Sequence, residues 1–379
     1  MDFALSEEQT AIFDMAKAFG AAHIAPHARD WEAQGTIPKT LWPQLADLGF
    51  GGLYVSEDSG GTNLSRLDAT LVFEALSASC ASVAAFLSIH NMCAKMIDDY
   101  GSDDLKSRVL PRAISMETVL SYCLTEPNSG SDAAALKTRA TQTDTGFGLT
   151  GTKAFISGGG YSDAYIVMAR TGEIGPKGIS AFVVEDGTEG LTFGGLEEKM
   201  GWKSQPTRQV NLDNANIPDG NMLGDLGRGF TYAMKGLDGG RLNIAACSIG
   251  AAQSALDQTL TYMSERHAFG HPIDQFQGLQ FRLADMNIAL ESARTFLRQA
   301  AWKLDTNAHD ATAYCAMAKK LCTETGSEVA DQCLQLHGGY GYLADYGIEK
   351  IVRDLRVHQI LEGTNEIMRL ITARHMLKK

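Results

Sequence analysis

The stretch HQILEGTNEIMR, residues 358–369, carries the most specific local signal in the chain. An apolar pair, Ile360 and Leu361, precedes Glu362, and a glycine follows it. Thr364 belongs to a residue type that caps helix N-termini, because its hydroxyl can accept a hydrogen bond from a backbone N–H of the first helical turn. The sequence therefore predicts that Glu362 lies in a turn before a terminal helix, where its carboxylate can point at a ligand.

Composition indicates a large folded protein rather than a disordered or nucleic-acid-binding one. The 379 residues are 44% hydrophobic, which is enough to bury the cores of two or three structural units. No run of about 18 apolar residues occurs, so no membrane span is expected. The net charge of −12 argues against nucleic acid, and it requires that any anionic nucleotide ligand be met by locally placed arginines.

The N-terminus and the cysteines bear on cellular location. The first residues, MDFALSEEQT, are acidic and polar, unlike a signal peptide or a transit peptide. Seven cysteines are scattered without a CxxC pair, which is typical of reduced, mostly buried thiols. The sequence therefore predicts a cytoplasmic protein, or a mitochondrial matrix protein if the chain is a processed eukaryotic form.

Residues 1–118 have helical periodicity. Ser6 and Gln9 have the spacing of a capping box ahead of apolar residues that are spaced for a helix. Further helix signals are a stop at Pro26, a start at Pro38, a stop at Gly49, a cap at Ser65 and a long apolar helix over residues 82–100.

Residues 119–228 do not continue the helical periodicity of residues 1–118, because short β-rich runs alternate with turn residues. YIVMA (165–169) and ISAFVV (179–184) predict strands, and the glycines at 158–160 predict a turn. Residues 229–379 return to helical periodicity, with long helices expected over residues 230–266, 276–304 and 311–336 and a shorter one after Thr364. The pattern therefore predicts an α+β fold in which a β domain lies between two helical domains.

Several common site motifs are absent from the sequence. There is no P-loop, no GxSxG nucleophile motif and no GxGxxG that follows a strand. His23 and His27 have the spacing of helical metal ligands, but Pro26 lies between them and no HExxH context exists. The sequence therefore predicts no metal site.

The segment YCLTEPNSGSD, residues 122–132, is a candidate ligand-binding loop. A β-rich run ends at Glu126 and Pro127 and leads into a small loop rich in hydroxyls and backbone donors. Such a loop can bind a flat heterocycle and a pyrophosphate without a helix N-terminus. The alternative is a plain exit from a strand into a turn, which would be favoured if this segment stood alone.

The segments that resemble a known family occur in one order along the chain. They are YCLTEPNSGSD (122–132), KAFISGGG (153–160), ERHAFGHPIDQFQG (265–278), LQLHGGYGY (334–342) and HQILEGTNEIMR (358–369). Over essentially its whole length, the chain resembles the acyl-CoA dehydrogenases. The resemblance implies an N-terminal helical domain over residues 1–118, a middle β-barrel-like domain over 119–228 and a C-terminal four-helix-bundle domain over 229–379. It also implies FAD as cofactor, a homotetramer and an electron-transfer flavoprotein as acceptor.

Within that family, the resemblance implies a short, α-branched acyl group, with isobutyryl-CoA oxidised to methacrylyl-CoA in valine catabolism. It is carried by SIHNMCAKMID (88–98), SYCLTEP (121–127), GWKSQPTR (201–208), GLDGGRLNIAACSIGAA (236–252) and RDLRVHQILEGTNEIMR (353–369). The alternatives are a dehydrogenase of different chain preference, an acyl-CoA oxidase, and a flavin monooxygenase, which would usually lack the base. A non-enzymatic helical protein without a cofactor is the alternative of a different class.

The resemblance also implies roles for individual residues. Glu362 would be the catalytic base. The cofactor-binding residues would be Tyr122, Cys123, Leu124, Thr125, Glu126, Ser129, Gly130, Ser131, Phe155, Ile156, Ser157, Arg266, Phe276, Gln277, Gln335, Leu336, His337, Gly338, Gly339, Thr364, Asn365 and Glu366, in part from a neighbouring subunit. The substrate-binding residues would be Ser131, Asp238, Gly239, Gly240, Arg241, Gly363 and Arg374, with the arginines toward the nucleotide end of CoA.

The implied reaction explains why a buried carboxylate is expected. The α C–H beside a thioester is weakly acidic, so the base should be a carboxylate in a dry pocket, where burial raises its pKa toward working pH. Some relatives carry the base just before the position of Arg241, where this chain has Gly240, so Glu362 is the expected base. Glu126 is the next carboxylate to consider. One departure is Phe155, where many family members have Trp.

Overall fold

The computed structural model describes residues 4–378, and the first third of the chain is helical. Its helices are α1 at Glu7–Phe19, α2 at Ala28–Gln34, α3 at Leu41–Ala46, α4 at Arg66–Ser77, α5 at Ala81–Tyr100 and α6 at Asp103–Ile114. The predicted capping box of α1 is confirmed, because Ser6 Oγ accepts from Gln9 N–H and Gln9 Oε1 accepts from Ser6 N–H, both at 3.1 Å. Ser65 caps α4 in the same way, with Asp68.

The proline signals are displaced from the observed helix ends. α1 ends at Phe19 rather than at Pro26, because the chain continues as a π-helical turn over Gly20–Ile24. α3 begins at Leu41 rather than at Pro38, since Pro38 lies in a turn where its carbonyl accepts a hydrogen bond from Leu41 N–H at 3.1 Å. The sequence patterns do not single out α2 or α6.

The middle of the chain forms a mixed sheet. Its strands are β1 at Leu120–Cys123, β2 at Arg139–Thr143, β3 at Gly146–Ser157, β4 at Ala164–Arg170, β5 at Ile179–Glu185, β6 at Leu191–Phe193, β7 at Thr207–Pro218 and β8 at Met222–Leu223. The strand order is β6-β7-β3-β2-β4-β5-β8, and β1 pairs with β4 in parallel. The expected strands at 165–169 and 179–184 are confirmed as β4 and β5. The glycine turn is confirmed too, since Gly158 and Gly160 have φ angles of 80° and 68° between β3 and β4.

The last part of the chain is again helical. Its helices are α7 at Gly229–Glu265, α8 at Gln277–Asp305, α9 at Ala311–His337, α10 at Ile348–Arg356 and α11 at Asn365–Met376, with a small hairpin, β9 at His267–Ala268 and β10 at His271–Pro272, between α7 and α8. The three long helices and the terminal one are confirmed, whereas α10 is additional. The fold is thus two helical parts around a mixed sheet, as expected. The divisions after residues 118 and 228 stay predictions.

Helix α5 connects the three parts. It packs against α4 and α6, against β1 of the sheet and against α7 of the C-terminal part. Its side chains are buried almost without interruption from Ala81 to Asp98, so it has no solvent-facing stripe over most of its length. The start of β1 and the middle of α7 therefore meet across one buried helix, and this junction positions the site described below.

Two further features bear on the sequence-based expectations. All seven cysteines are buried and unpaired, as predicted. Within residues 4–378, none of the helices combines the length and the apolar character needed to cross a bilayer. The cellular location stays a prediction.

Candidate active site

Glu362 lies in a strained turn between α10 and α11. The chain leaves α10 through a short 3-10 turn, Val357–Gln359, and enters α11 with Thr364 as its cap, whose Oγ1 accepts from Ile367 N–H at 3.4 Å. The φ angles of Glu362 and Gly363 are 56° and 87°. Left-handed backbone costs a residue with a Cβ about 1–2 kcal/mol, so surrounding contacts must fix this conformation at Glu362.

The Glu362 carboxylate is enclosed and lacks a partner for one of its oxygens. Its Oε2 is buried and makes no hydrogen bond with the described residues. A Cβ placed on Gly240 of α7 would lie 2.7 Å from Oε2, so a larger residue there would require the carboxylate to shift from this position. Burial raises the pKa of Glu362 to about 7, against the opposing effects of Arg241 and Lys319. A carboxylate with this pKa can exchange a proton near neutral pH.

Arg241 and Asp238 of α7 form a buried ion pair behind the turn. Arg241 donates to Asp238 Oδ1 at 2.6 Å and, through Nε, to the Glu362 carbonyl at 3.3 Å. Thr312 donates to the other Asp238 oxygen at 2.6 Å. The two acceptors of Arg241 fix it beside Glu362. The position of the two arginines toward the nucleotide end of CoA stays a prediction. Arg374 is exposed on α11, away from these contacts.

Lys319 of α9 binds the other side of the turn. Its side chain is fully buried, and its Nζ donates to the Gly363 carbonyl at 2.8 Å and to Asn365 Oδ1 at 2.9 Å. Asn365 Nδ2 donates in turn to Thr323 Oγ1 at 3.0 Å. Burial lowers the pKa of Lys319 to about 7. The sequence reasoning missed this lysine, although a Lys at the end of the apolar run YCAMAK (314–319) is a signal that could have found it.

Tyr122 and Cys93 complete the surroundings of the carboxylate. Tyr122 OH, at the end of β1, is buried without a hydrogen-bond partner among residues 4–378. Burial, and secondarily the Glu362 charge, raises the pKa of Tyr122 well above its usual value. Burial likewise raises the pKa of the Cys93 thiol on α5, with a smaller contribution from Glu362. Two orphaned buried oxygens in one place indicate a site for a polar ligand.

The loop after β1 is organised around Glu126. Its carboxylate accepts from Lys153 Nζ at 2.8 Å, from Thr138 N–H at 2.9 Å and from Lys137 N–H at 2.6 Å. Burial alone would raise the pKa of Glu126, but Lys153 and the other donors outweigh it and leave the pKa below its usual value. Glu126 is therefore less suited than Glu362 to act as the base, since its donors favour the ionised form and occupy its carboxylate oxygens.

The other residues of this loop divide into buried and open ones. The Cys123, Leu124 and Ile156 side chains are buried in the cores beside the sheet, so any ligand contact there is through their backbone. Ser129 Oγ donates to the Asp132 carbonyl at 2.7 Å. Gly130 has open space beside its Cα and Ser131 is exposed, so the end of the loop is accessible.

Phe155 lies at an irregularity of β3. The pairing of β3 with β7 shifts register between Lys153 and Ile156, and Phe155 has a φ of 58°. Its ring is 69% exposed, which is unusual for a phenylalanine in a sheet. Thr125 is next to this bend, because its carbonyl accepts from Ala154 N–H at 2.9 Å. Ser157 closes the bend and accepts, through its carbonyl, from Ser121 Oγ at 2.5 Å. An exposed ring beside a hydroxyl-rich loop fits a flat ligand.

A second group of the expected cofactor-binding residues lies at a separate place. A cleft of about 560 Å³ at the C-terminal end of α9 is lined by Tyr262, Arg266, Ile273, Leu279, Arg282, Gln335, Leu336, His337, Gly338, Gly339, Tyr340 and Leu343. Phe276 stacks edge-on against Phe269 beside this cleft, and Gln277 begins α8. None of the residues around Glu362 is among this lining. The expected cofactor-binding residues therefore form two separate surfaces, one around Glu362 and one at the end of α9, and neither surface holds all of them.

No metal centre is found in the described part of the chain, where no group of three or more His, Cys, Asp or Glu side chains could hold an ion. The two histidines with helical spacing pack on aromatic rings instead. His23 stacks on Phe19 at 4.7 Å between ring centroids, and His27 on Trp31 at 5.6 Å.

Comparison with known proteins covers the whole of this architecture. The N-terminal, middle and C-terminal domain models of acyl-CoA dehydrogenase match residues 6–117, 121–215 and 227–377. The mitochondrial isobutyryl-CoA dehydrogenase of Bos taurus is 49% identical over 99% of this chain and 90% of that protein. The structure of butyryl-CoA dehydrogenase from Megasphaera elsdenii superposes with a TM-score of 0.96 at 37% identity and covers 100% of both chains. A structure of PigA with FAD and proline superposes with a TM-score of 0.95 at 30% identity and covers 99% of both.

The three domain matches follow the order of the helical, sheet and helical parts. The relative from Bos taurus is similar over nearly the full length, so the likeness is not confined to one motif. This chain therefore belongs to the acyl-CoA dehydrogenase family, oxidoreductases that act on CH–CH groups.

Proposed function

We propose that this protein oxidises a short, α-branched acyl-CoA, isobutyryl-CoA first, to the α,β-unsaturated thioester methacrylyl-CoA, as a step of valine catabolism. The observation that carries the proposal is the Glu362 carboxylate, which is buried, has one oxygen without a partner and has a pKa raised to about 7. A base of this kind matches the removal of a weakly acidic proton next to a thioester.

Glu362 Oε2 takes the α-proton of the acyl group. Gly240 has no side chain, so the carboxylate can lie against α7 in this position. The Glu362 backbone N–H polarises the thioester carbonyl, which becomes more negative as the proton leaves. Arg241 and Lys319 fix the backbone of the turn through the carbonyls of residues 362 and 363, which holds the Cα from which the carboxylate extends.

FAD is the cofactor, and when bound it supplies the acceptor for the hydride that leaves the β-carbon. The chain offers groups that fit it: the exposed Phe155 ring, the open loop end at Gly130 and the orphaned Tyr122 hydroxyl. The cleft at the end of α9 has an arginine, Arg266, and exposed backbone at two consecutive glycines, which suits an anionic cofactor. We assign this cleft to the flavin of a neighbouring subunit.

The preference for a short acyl group is supported by the contact between α5 and α7. A Cβ on Gly236 of α7 would lie 3.3 Å from Met96 Sδ and 3.5 Å from Met92 Cγ, so these methionines fill the space beside α7. Flexible methionine side chains can adapt to a branched group but leave little room for a long one. The 49% identity with the isobutyryl-CoA dehydrogenase of Bos taurus supports the same substrate.

The assembly is proposed to be a homotetramer that passes electrons to an electron-transfer flavoprotein. Large apolar side chains are exposed on the C-terminal helices and their connections: Phe269, Phe281, Ile288, Trp302, Tyr342 and Met376. Exposed apolar surface of this extent is typical of subunit contacts. These contacts would bring the α9 cleft of one subunit to the sheet of another.

The test is anaerobic flavin bleaching by a panel of CoA esters. We expect the highest kcat/KM with isobutyryl-CoA, and lower values with butyryl-CoA and 2-methylbutyryl-CoA, since one methylene changes specificity by about 10- to 200-fold. Octanoyl-CoA as the best substrate would refute the short-chain proposal. Turnover in air as fast as with an electron-transfer flavoprotein would favour the oxidase alternative.

A further inference from the structure

Two helices each contribute a cationic side chain that binds the turn carrying Glu362. Only one of these two side chains, Arg241, is among the expected substrate-binding residues. Arg241 of α7 binds the carbonyl of Glu362 itself. Lys319 of α9 binds the carbonyl of Gly363 and the side chain of Asn365, the residue at the start of α11. Lys319 thereby connects the C-terminal end of the segment with left-handed φ angles to the start of α11.

The environment of Lys319 is unusual for a lysine. Its side chain has no exposed surface and lies on α9 among the buried residues Cys315, Ala316, Ala318 and Cys322. An ammonium group is taken out of water only at a high cost unless it is paired and hydrogen-bonded. Among residues 4–378, the hydrogen-bond acceptors of its Nζ are the Gly363 carbonyl and Asn365 Oδ1. Its hydrogen bonds are therefore made to the Glu362 turn and to the helix start that follows it.

We propose that Lys319 is a positioning residue for Glu362, whose ammonium holds the left-handed turn in place and whose positive charge favours the carboxylate over the protonated acid. The proposal rests on the assignment of Glu362 as the base. A residue with a Cβ keeps left-handed backbone angles only where surrounding contacts hold it in that conformation. Lys319 supplies such contacts from α9. Lys319 does not touch the substrate in this scheme; it acts through Glu362.

The titratable and charged groups around Glu362 and Lys319 come from every element packed against the turn. These groups are Arg241 and Asp238 on α7, Tyr122 on β1, Cys93 on α5, Lys319 and Glu324 on α9, His358 before the turn and Glu366 on α11. Arg241 is already neutralised by Asp238 at 2.6 Å, whereas Lys319 has no carboxylate within salt-bridge distance among the described residues. Removal of Lys319 should therefore raise the pKa of Glu362, because the positive charge that Lys319 carries below its own pKa of about 7 is not otherwise paired.

The experiment compares Lys319→Met with Lys320→Met in the FAD-loaded protein. Methionine keeps the length of the buried chain without the charge. Lys320 is the next residue, is about one-third exposed and pairs with Glu324 at 2.7 Å, so its variant is a matched control. For Lys319→Met, we expect the midpoint of the pH profile of flavin reduction by acyl-CoA to rise by about one unit. A merely structural role would lower flavin content or stability without moving this midpoint.

Hydrogen exchange of the peptide that covers residues 358–369 gives a second readout that needs no turnover. We expect several-fold faster exchange in Lys319→Met and wild-type exchange in Lys320→Met. If Lys319→Met does not fold, Asn365→Ala removes one of its two acceptors, and faster exchange of the same peptide is again expected. An unchanged or lowered midpoint together with unchanged exchange would overturn the proposal. If wild-type flavin is not bleached by any acyl-CoA, the proposed function fails, while the exchange data still decide whether Lys319 fixes the turn.

Discussion

Two glutamates are enclosed in this protein with opposite chemical consequences. Glu126 has three donors within 2.9 Å, one of them the buried ammonium of Lys153, and its pKa lies below the usual value despite its burial. Glu362 has one oxygen with no partner, and burial raises its pKa to about 7. Both lie in loops that follow an apolar segment, so local sequence does not separate them.

The two glutamates differ in the number of hydrogen-bond donors that reach the carboxylate, rather than in how deeply the carboxylate is buried. Desolvation penalises the charge of any carboxylate, and hydrogen bonds or a paired cation reverse the penalty. At Glu126 the backbone of residues 137 and 138 and Lys153 supply that reversal, so the side chain stabilises the loop. At Glu362 the nearby cations bind backbone carbonyls of the turn, which leaves the carboxylate itself free to accept a proton.

The largest expected effect comes from Glu362→Gln. The variant should fold, take up FAD and bind acyl-CoA, but reduce its flavin at least about 10²–10⁴-fold more slowly, because an amide cannot take the α-proton. Stopped-flow bleaching under anaerobic conditions measures this step. Glu117→Gln, at an exposed glutamate, serves as the control. Flavin bleaching in Glu362→Gln at near wild-type rate would contradict the assignment of Glu362 as the base, and with it the distinction between the two glutamates.

The same substitution at Glu126 should act on stability instead. Glu126→Gln leaves the Lys153 ammonium buried without its counter-charge, and breaking a buried pair in this way costs about 3–5 kcal/mol. Denaturant unfolding should show this loss, while the pH midpoint of flavin reduction in the folded fraction stays that of wild type. A double variant, Glu126→Leu with Lys153→Met, should recover part of the stability. A stable Glu126→Gln with a shifted midpoint would assign Glu126 to the chemistry.

The smallest expected effect has the opposite sign. Because the pKa of Glu362 is raised from 4.5 to about 7, the folded chain keeps a proton that the unfolded chain releases between these values. The free energy of unfolding therefore falls as pH rises through this window. Glutamine does not titrate, so Glu362→Gln should be more stable than wild type at pH 8, by up to about 3 kcal/mol, since each pKa unit corresponds to about 1.4 kcal/mol. The gain should vanish near pH 4. A loss of stability at pH 8 would contradict the raised pKa.

The fold could be predicted largely from local pattern. Capping boxes at Ser6 and Ser65 and the apolar run of α5 set helix positions that the structure confirms. The wrong helix ends are those that were predicted from a single residue, such as a proline. Pro26 marks the end of a helical segment only after a π-helical turn. The helices α6 and α10 are amphipathic and pack against larger elements, so the sequence holds a periodic signal for both that the expectations missed.

The site was predictable only in part, for a physical reason. The turn at Glu362 follows from Gly363 and Thr364, which are adjacent in sequence. Lys319 lies 44 residues from the Gly363 carbonyl it binds, and Gly240 faces the carboxylate from another helix, so no periodicity or spacing rule reveals either contact. The apolar pair before Glu362 proved a weak guide to the dry pocket, since Ile360 is 51% exposed and the enclosure comes from α5, α7 and β1.

Helix α9 carries Lys319 in its first half and leads at its C-terminal end into the cleft lined by residues 335–339, about 24 Å further along the helix axis. If that cleft completes the flavin site of a neighbour, as proposed, one rigid element serves two active centres. Cofactor affinity and subunit association then become a single linked equilibrium, in which each strengthens the other. Dilution should release flavin before it unfolds any subunit, and excess FAD should hold the assembly together at concentrations where the apoprotein dissociates.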